Sequence, residues 1–168
     1  MIEFLVVIGN SLKYFYLLAL LAGILYWRGL TTFNLVTLVL FVSEVAMNLL
    51  RDPLWAFVGS LEFNEAVIVW CLTWSLCYFL AILLMHFLHS RLRVAMGREA
   101  TVIGFSMLSL VVLQILRYVE ALYFDSWLIT ELYRWGIPSI NVSMGGYLLF
   151  TFLREVRNDR SIRANSSF

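Results

Sequence analysis

Five stretches of this sequence are long and apolar enough to cross a lipid bilayer, and that repetition limits the fold more than any other feature. A helix needs about 20 mostly apolar residues to span the hydrocarbon core. Runs at about 2–27, 33–50, 65–89, 100–124 and 126–153 meet that length. The third is the cleanest, with no charge over residues 66–85. The strongest part of the first, 14–27, is too short to span alone at about 1.5 Å per residue. Extending it back through residues 4–8 brings Asn10, Ser11 and Lys13 into the bilayer.

Composition points the same way. Hydrophobic residues make up 62% of the chain and charged residues 14%, against roughly 45–50% and about 25% in a soluble domain. A water-soluble fold of 168 residues has too little interior to hide that much apolar surface. The expected fold is all-α: a polytopic integral membrane bundle of five transmembrane helices, one domain over 1–168. A short polar tail at 154–168 is expected to fray beyond Asp159. Met1-Ile2-Glu3-Phe4 lacks the basic region of a cleavable signal, so the mature chain is expected to begin at Met1.

Short connections make sequential spans antiparallel neighbours. Residues 28–32 join the first two, 90–99 the third and fourth, and 124–127 the last two. Between spans two and three, Asp52 is a good helix cap and Pro53 suits a first helical position. The apolar and aromatic residues after them predict a short separate helix along the interface.

Charge then orients the bundle. One side collects Arg28, Arg91, Arg93, Arg98, Arg154, Arg157, Arg160 and Arg163 against Glu99, Glu155 and Asp159. The other collects Arg51, Arg117 and Arg134 against Glu3, Glu44, Asp52, Glu62, Glu65, Glu120, Asp125 and Glu131. The sides carry +5 and −5, and Lys13 completes the net +1. Cytoplasmic loops are enriched in Lys and Arg. The expectation is therefore a cell inner (plasma) membrane protein with its N-terminus outside and its C-terminus cytoplasmic. Trp27, Trp55, Trp127 and Trp135 fit interfacial belts.

Ionisable residues inside spans are costly and face protein or water-filled space. Lys13 lies deepest and Glu44 sits in the second span, so a Lys13–Glu44 pair is one expectation and an outward-snorkelling Lys13 the other. Arg117 and Glu120 share a helical face, as do Glu131 and Arg134, each three residues apart. They form either a charged outer vestibule above Glu44 or cross-links that fix a helical hairpin. In the fifth span Pro138 should bend the helix. Ser139, Ser143 and Gly146 form a small-residue strip, and such a kinked, small, polar helix either lines a pore or acts as a hinge, or is a face for close packing within the bundle or between subunits. Ser106, Ser109 and Gln114 are weaker polar features of the fourth span.

Other signals are bland. His86 and His89 read as interfacial residues beside Arg91 and Arg93, without a second ligand pair for a metal or haem. Cys71 and Cys77 are six apart in one apolar helix, about 9 Å along its axis, and cannot bond to each other. The arginine clusters suit anionic lipid headgroups of the inner leaflet rather than nucleic acid. Asn141 and Asn165 lie in Asn-x-Ser sequons at sites where glycosylation is not expected. No phosphate loop, HExxH, GxSxG or cysteine-metal spacing occurs. No catalytic residue, cofactor or metal is expected.

Three function classes follow. The first is a homo-oligomeric pore or channel-like assembly with a charged outer vestibule. The second is a non-catalytic accessory, assembly, or phage- or defence-related partner of another membrane protein. The third, least favoured, is an intramembrane enzyme.

Overall fold

The structure is a computed structural model that describes residues 2–27, 29–123 and 127–165, with side chains over 11–27, 29–123 and 127–158. The turn at 124–126 lies outside the described residues. So do Arg28 and the side chains of Glu3, Asn10, Asp125, Asp159, Arg160, Arg163 and Asn165. Five helices account for nearly all of the described chain: α1 Ile2–Trp27, α2 Thr32–Val58, α3 Phe63–Leu92, α4 Arg98–Tyr123 and α5 Trp127–Asn165. No strand occurs among the described residues.

Neighbouring helices run antiparallel, and α5 returns to pack on α1, so the bundle closes on itself. Thr32 Oγ1 donates to the Ala95 carbonyl at 2.7 Å, tying the α1–α2 and α3–α4 connections at one end. At the other, the Trp55 and Trp70 rings meet edge-on at 5.7 Å. The Thr32 end carries the arginine-rich connections and is called the basic end below; the Trp55 end is the acidic end.

The helices α2–α5 are each long and apolar enough to cross a membrane, and the apolar described part of α1 is Ser11–Trp27. The surface confirms that solvent. Leu25 is 78% exposed, Leu49 74% and Trp127 75%, whereas Asn34, His89, Gln114 and Glu120 are buried. Large apolar side chains outside and polar ones inside would make a poor water-soluble protein. The chain is a membrane-embedded helical bundle.

Local signals set the helix ends. Thr31 caps α2, its Oγ1 accepting from the Asn34 amide at 3.3 Å. The end of α3 is a double closure: Val94 N donates to the His89 carbonyl at 3.1 Å and Arg93 N to that of Ser90 at 3.4 Å. That is a Schellman motif, with Arg93 at φ 55° in the position usually held by glycine.

The expected break at Asp52-Pro53 does not occur; α2 runs through Pro53 to Val58 as one helix. A proline forfeits one backbone hydrogen bond. Unwinding in hydrocarbon would expose several groups instead. Leu54 is buried in the core and Trp55 packs on Trp70, which holds the last turns against α3. Asp52 is therefore mid-helix rather than a cap. The tail also differs from expectation, because α5 stays helical past Asp159 to Asn165. Arg and Glu are good helix formers, and Arg154 contacts Glu155 at 3.2 Å.

Among the described glycines, the most closely approached is Gly23 of α1, which faces α2. A methyl group there would sit 2.2 Å from Asn34 Oδ1 and 3.0 Å from the Phe33 ring. Asn34 Nδ2 meanwhile donates to the Gly29 carbonyl at 2.7 Å, so the side chain has no room to retreat without losing the turn. Gly23→Ala is expected to destabilise the protein by about 1–3 kcal/mol, read as a lower melting temperature in detergent. Arg93→Gly should act oppositely, relieving a left-handed backbone by up to about 1 kcal/mol, in the same assay.

Candidate functional site

Buried polar side chains occur in both halves of the bundle: Asn34, Thr37, His89 and Thr151 towards the basic end, Glu44, Gln114 and Glu120 from the middle to the acidic end. The charged ones include a group at the acidic end, where α4 finishes and α5 starts. Arg117 and Glu120, three apart on α4, share a face, and Thr130 reaches them from the first turn of α5. The Arg117 guanidinium is hydrogen-bonded to Glu120 Oε2. The same Nη1 donates to Thr130 Oγ1 at 3.0 Å, and that hydroxyl donates to Glu120 Oε1 at 2.9 Å. Glu120 is 5% exposed and Arg117 27%, so the carboxylate is buried under a guanidinium that still meets the outside. These three residues, with Phe63 and Tyr123, line a cleft of about 400 Å³.

A second tier lies deeper. Trp70 Nε1 donates to the Tyr133 hydroxyl at 3.2 Å, which donates to Gln114 Oε1 at 3.1 Å. This ties α3, α5 and α4 together. Gln114 lies three residues from Arg117 on α4 and Tyr133 three from Thr130 on α5, so the tier is one helical turn from the cleft residues.

The third tier is near mid-bundle. The Tyr78 phenol of α3 meets the Asn141 side chain of α5. Tyr16 of α1 points at the Asn141 carbonyl, 3.5 Å away, at the edge of hydrogen-bonding distance. Beside them is Glu44 of α2, 9% exposed. Its Oε1 accepts from Asn48 Nδ2 at 3.0 Å, and that amide also caps the Glu44 carbonyl at 2.8 Å. Both tyrosines are electrostatic neighbours of the carboxyl.

Compared with known proteins, the chain matches no family model, no curated sequence and no solved structure. The site has to be read from its own chemistry.

The residues singled out in the sequence meet different fates. Arg117 and Glu120 come together as expected, and their bridge through Thr130 does cross-link the α4–α5 hairpin. Glu131 and Arg134 form a separate pair along α5 at 3.4 Å, with Trp135 Nε1 donating to Glu131 at 3.0 Å. Lys13 and Glu44 do not form an ion pair; the Lys13 ammonium lies 5.3 Å from the Tyr14 ring centre. The two residues interact only at longer range.

Pro138 lies within uninterrupted α5. The strip of Ser139, Ser143 and Gly146 faces outward, with no atom of another helix within 4 Å of the space a Gly146 side chain would fill. Packing inside the bundle falls instead to Gly136, where a methyl would lie 2.9 Å from Leu113, and to Gly145, where it would lie 3.3 Å from Phe15. His89 lies in the last turn of α3 with Arg91, but its ring turns into the bundle. It is 2% exposed, with Nδ1 2.7 Å from the Met85 carbonyl, while His86 stays exposed. The expected thiols Cys71 and Cys77 are free.

Thr130, Tyr133, Tyr78 and Tyr16 escaped the sequence reading. A signal existed: tyrosines of membrane helices favour the interfaces, so Tyr16 and Tyr78 in mid-span call for partners.

Breaking one side of a buried pair strands the other charge and costs about 3–5 kcal/mol, whereas removing both is far milder. Arg117→Met is therefore expected to destabilise the protein more than Arg117→Met with Glu120→Leu. Thermal unfolding of the two variants and the remaining single variant, taken as a double-mutant cycle, checks this.

Proposed function

We propose that the protein is a channel-type cation-conducting membrane protein, acting as a homo-oligomer without catalytic chemistry, cofactor or nucleic-acid partner. The observation that carries this reading is the charged cleft at the acidic end, with Glu120 buried under Arg117 and a further buried carboxylate, Glu44, deeper in the bundle. Charge inside a membrane bundle is costly and tends to serve ion or proton pathways. The −5 balance of the acidic side would concentrate cations at the cleft. Its Arg117 and Arg134 are each held by a glutamate.

The orientation in this proposal follows the arginines: the N-terminus and the cleft outside, the C-terminus in the cytoplasm of a cell inner (plasma) membrane. The interior of one copy is filled by side chains such as Val39, Met107 and Leu148. A hydrated cation would therefore pass between copies. The outward strip of Ser139, Ser143 and Gly146 supports such contacts, since small residues let helices approach closely.

That strip equally favours a second reading, in which it docks a different membrane protein and the chain is an accessory or assembly partner. Neither reading uses an enzyme active site.

Purified protein in liposomes is expected to pass monovalent cations in preference to anions, and imaging in nanodiscs to show a ring of copies around a polar axis. Absence of flux at every voltage, with a monomer or a lipid-filled axis, would overturn conduction. A constant copurifying membrane protein would then select the partner reading.

A further inference from the structure

We infer that the basic end is a binding surface for the phosphate headgroups of anionic lipids. The exposed guanidinium groups of Arg91, Arg93 and Arg98, with those of Arg154 and Arg157, hold them. This binding is independent of whether ions cross the bundle, so it stands apart from the channel reading.

Three observations carry it. First, the two ends treat arginine differently. At the acidic end, Arg117 and Arg134 are each held by a glutamate, and Arg51 is not free either. At the basic end, Arg91, Arg93, Arg98 and Arg157 are exposed. None of these four side chains forms an ion pair or hydrogen bond among the described residues. Arg154 touches Glu155 at 3.2 Å but keeps 42% of its side chain exposed.

Second, these arginines share one level of the bundle. Phe152 of α5 packs on Phe33 of α2 at 6.0 Å between ring centres, and the adjoining Thr32 donates to the Ala95 carbonyl. Arg154 is two residues beyond Phe152, while Arg93 and Arg98 stand two and three residues either side of Ala95. Arg91 and Arg157 follow within about one helical turn. Long, flexible arginine stems cover that difference in depth.

Third, apolar side chains are interleaved with the charges. Leu92, between Arg91 and Arg93, is 42% exposed; Met96, between Arg93 and Arg98, is 47% exposed, and Leu30 of the α1–α2 connection 62%. Such a mixture fits the boundary of a bilayer, where acyl chains cover the leucines and methionine while the guanidinium groups reach the phosphates. A soluble anion or an acidic protein segment would meet the arginines but leave this apolar surface in water. Charge complementarity and the apolar residues together select a lipid.

The kind of base agrees. Every Lys or Arg of this side is an arginine. A guanidinium can bind two phosphate oxygens at once, whereas an ammonium acts as a point charge. Arg93 holds the left-handed position at the end of α3, φ 55°, where glycine fits without strain. Its side chain finds no polar partner among the described residues to offset that strain. A headgroup phosphate supplies the missing partner, and strained residues tend to mark such contacts.

Electron spin resonance of the full chain in phosphatidylcholine liposomes, with trace spin-labelled phosphatidylglycerol or phosphatidylcholine, reads which lipid the protein holds. Labelled phosphatidylglycerol should associate about fivefold more strongly at low salt and lose most of that preference in about 1 M salt. A chain carrying Arg91→Gln, Arg93→Gln and Arg98→Gln should lose most of it at low salt. The same three positions changed to Lys should fall between that chain and the wild type. Arg134→Gln, at the acidic end, should leave the preference unchanged. No preference for phosphatidylglycerol, one that survives the three Gln changes, or one lost equally in Arg134→Gln overturns the inference. Lys variants that equal the wild type overturn the forked guanidinium contact. Displacement of the label by inorganic phosphate beyond that by chloride at equal ionic strength would assign the arginines to a soluble anion, and overturns the lipid as occupant.

Discussion

Hydrocarbon supplies no hydrogen bonds, so every polar group carried into this bundle has to find its partner in protein. The backbone meets that demand by staying helical, even through Pro53 and Pro138. The side chains meet it in two ways. Isolated hydroxyls turn back on their own helix, as Thr37, Thr73, Ser106 and Ser109 do. Some larger polar groups are answered across helices, and these answers, Thr130 to Glu120 and Trp70 to Tyr133 to Gln114, fix which faces of α3, α4 and α5 meet, whereas Asn34 Oδ1 and His89 Nε2 are buried without a hydrogen-bond partner among the described residues.

The two halves of the bundle satisfy this constraint differently. Near the basic end, contact by shape is joined by the hydrogen bonds of Thr32 and Asn34 to the connections. Tyr26, Trp27, Phe33 and Phe152 interlock at ring separations of 5.1–6.0 Å, and Gly23 admits Asn34 where any side chain would collide. Near the acidic end, contact is made by charge and hydrogen bonding. Shape complementarity is insensitive to pH and ionic surroundings, whereas the tiers are not.

Much of the architecture was legible in the sequence because hydropathy and helix length are local properties. The five helices, their alternation, and the pairing of Arg117 with Glu120 follow from spacing along one helix. What was not legible depends on the opposite surface. Ser139, Ser143 and Gly146 look like a packing face, yet Gly136 and Gly145 take that role because Leu113 and Phe15 stand opposite them. Lys13 and Glu44 are compatible in depth, but partner choice is decided by rotation about the helix axis, which hydropathy does not encode. The continuation of α2 beyond Asp52 was missed for a related reason. Asp52 and Pro53 favour a helix start by local preference, while the buried Leu54 and the Trp55–Trp70 contact make tertiary packing the larger influence.

The unbroken length of α5 has a mechanical corollary. Its 39 residues make a rod of about 58 Å, nearly twice the hydrocarbon thickness of about 30 Å. Pro138 sits close to the end of the rod that holds the hydroxyl of Thr130. A change of about 10° in helix direction there would swing the far tip, about 40 Å away, by about 7 Å. The longer arm so moved carries Arg154 and Arg157.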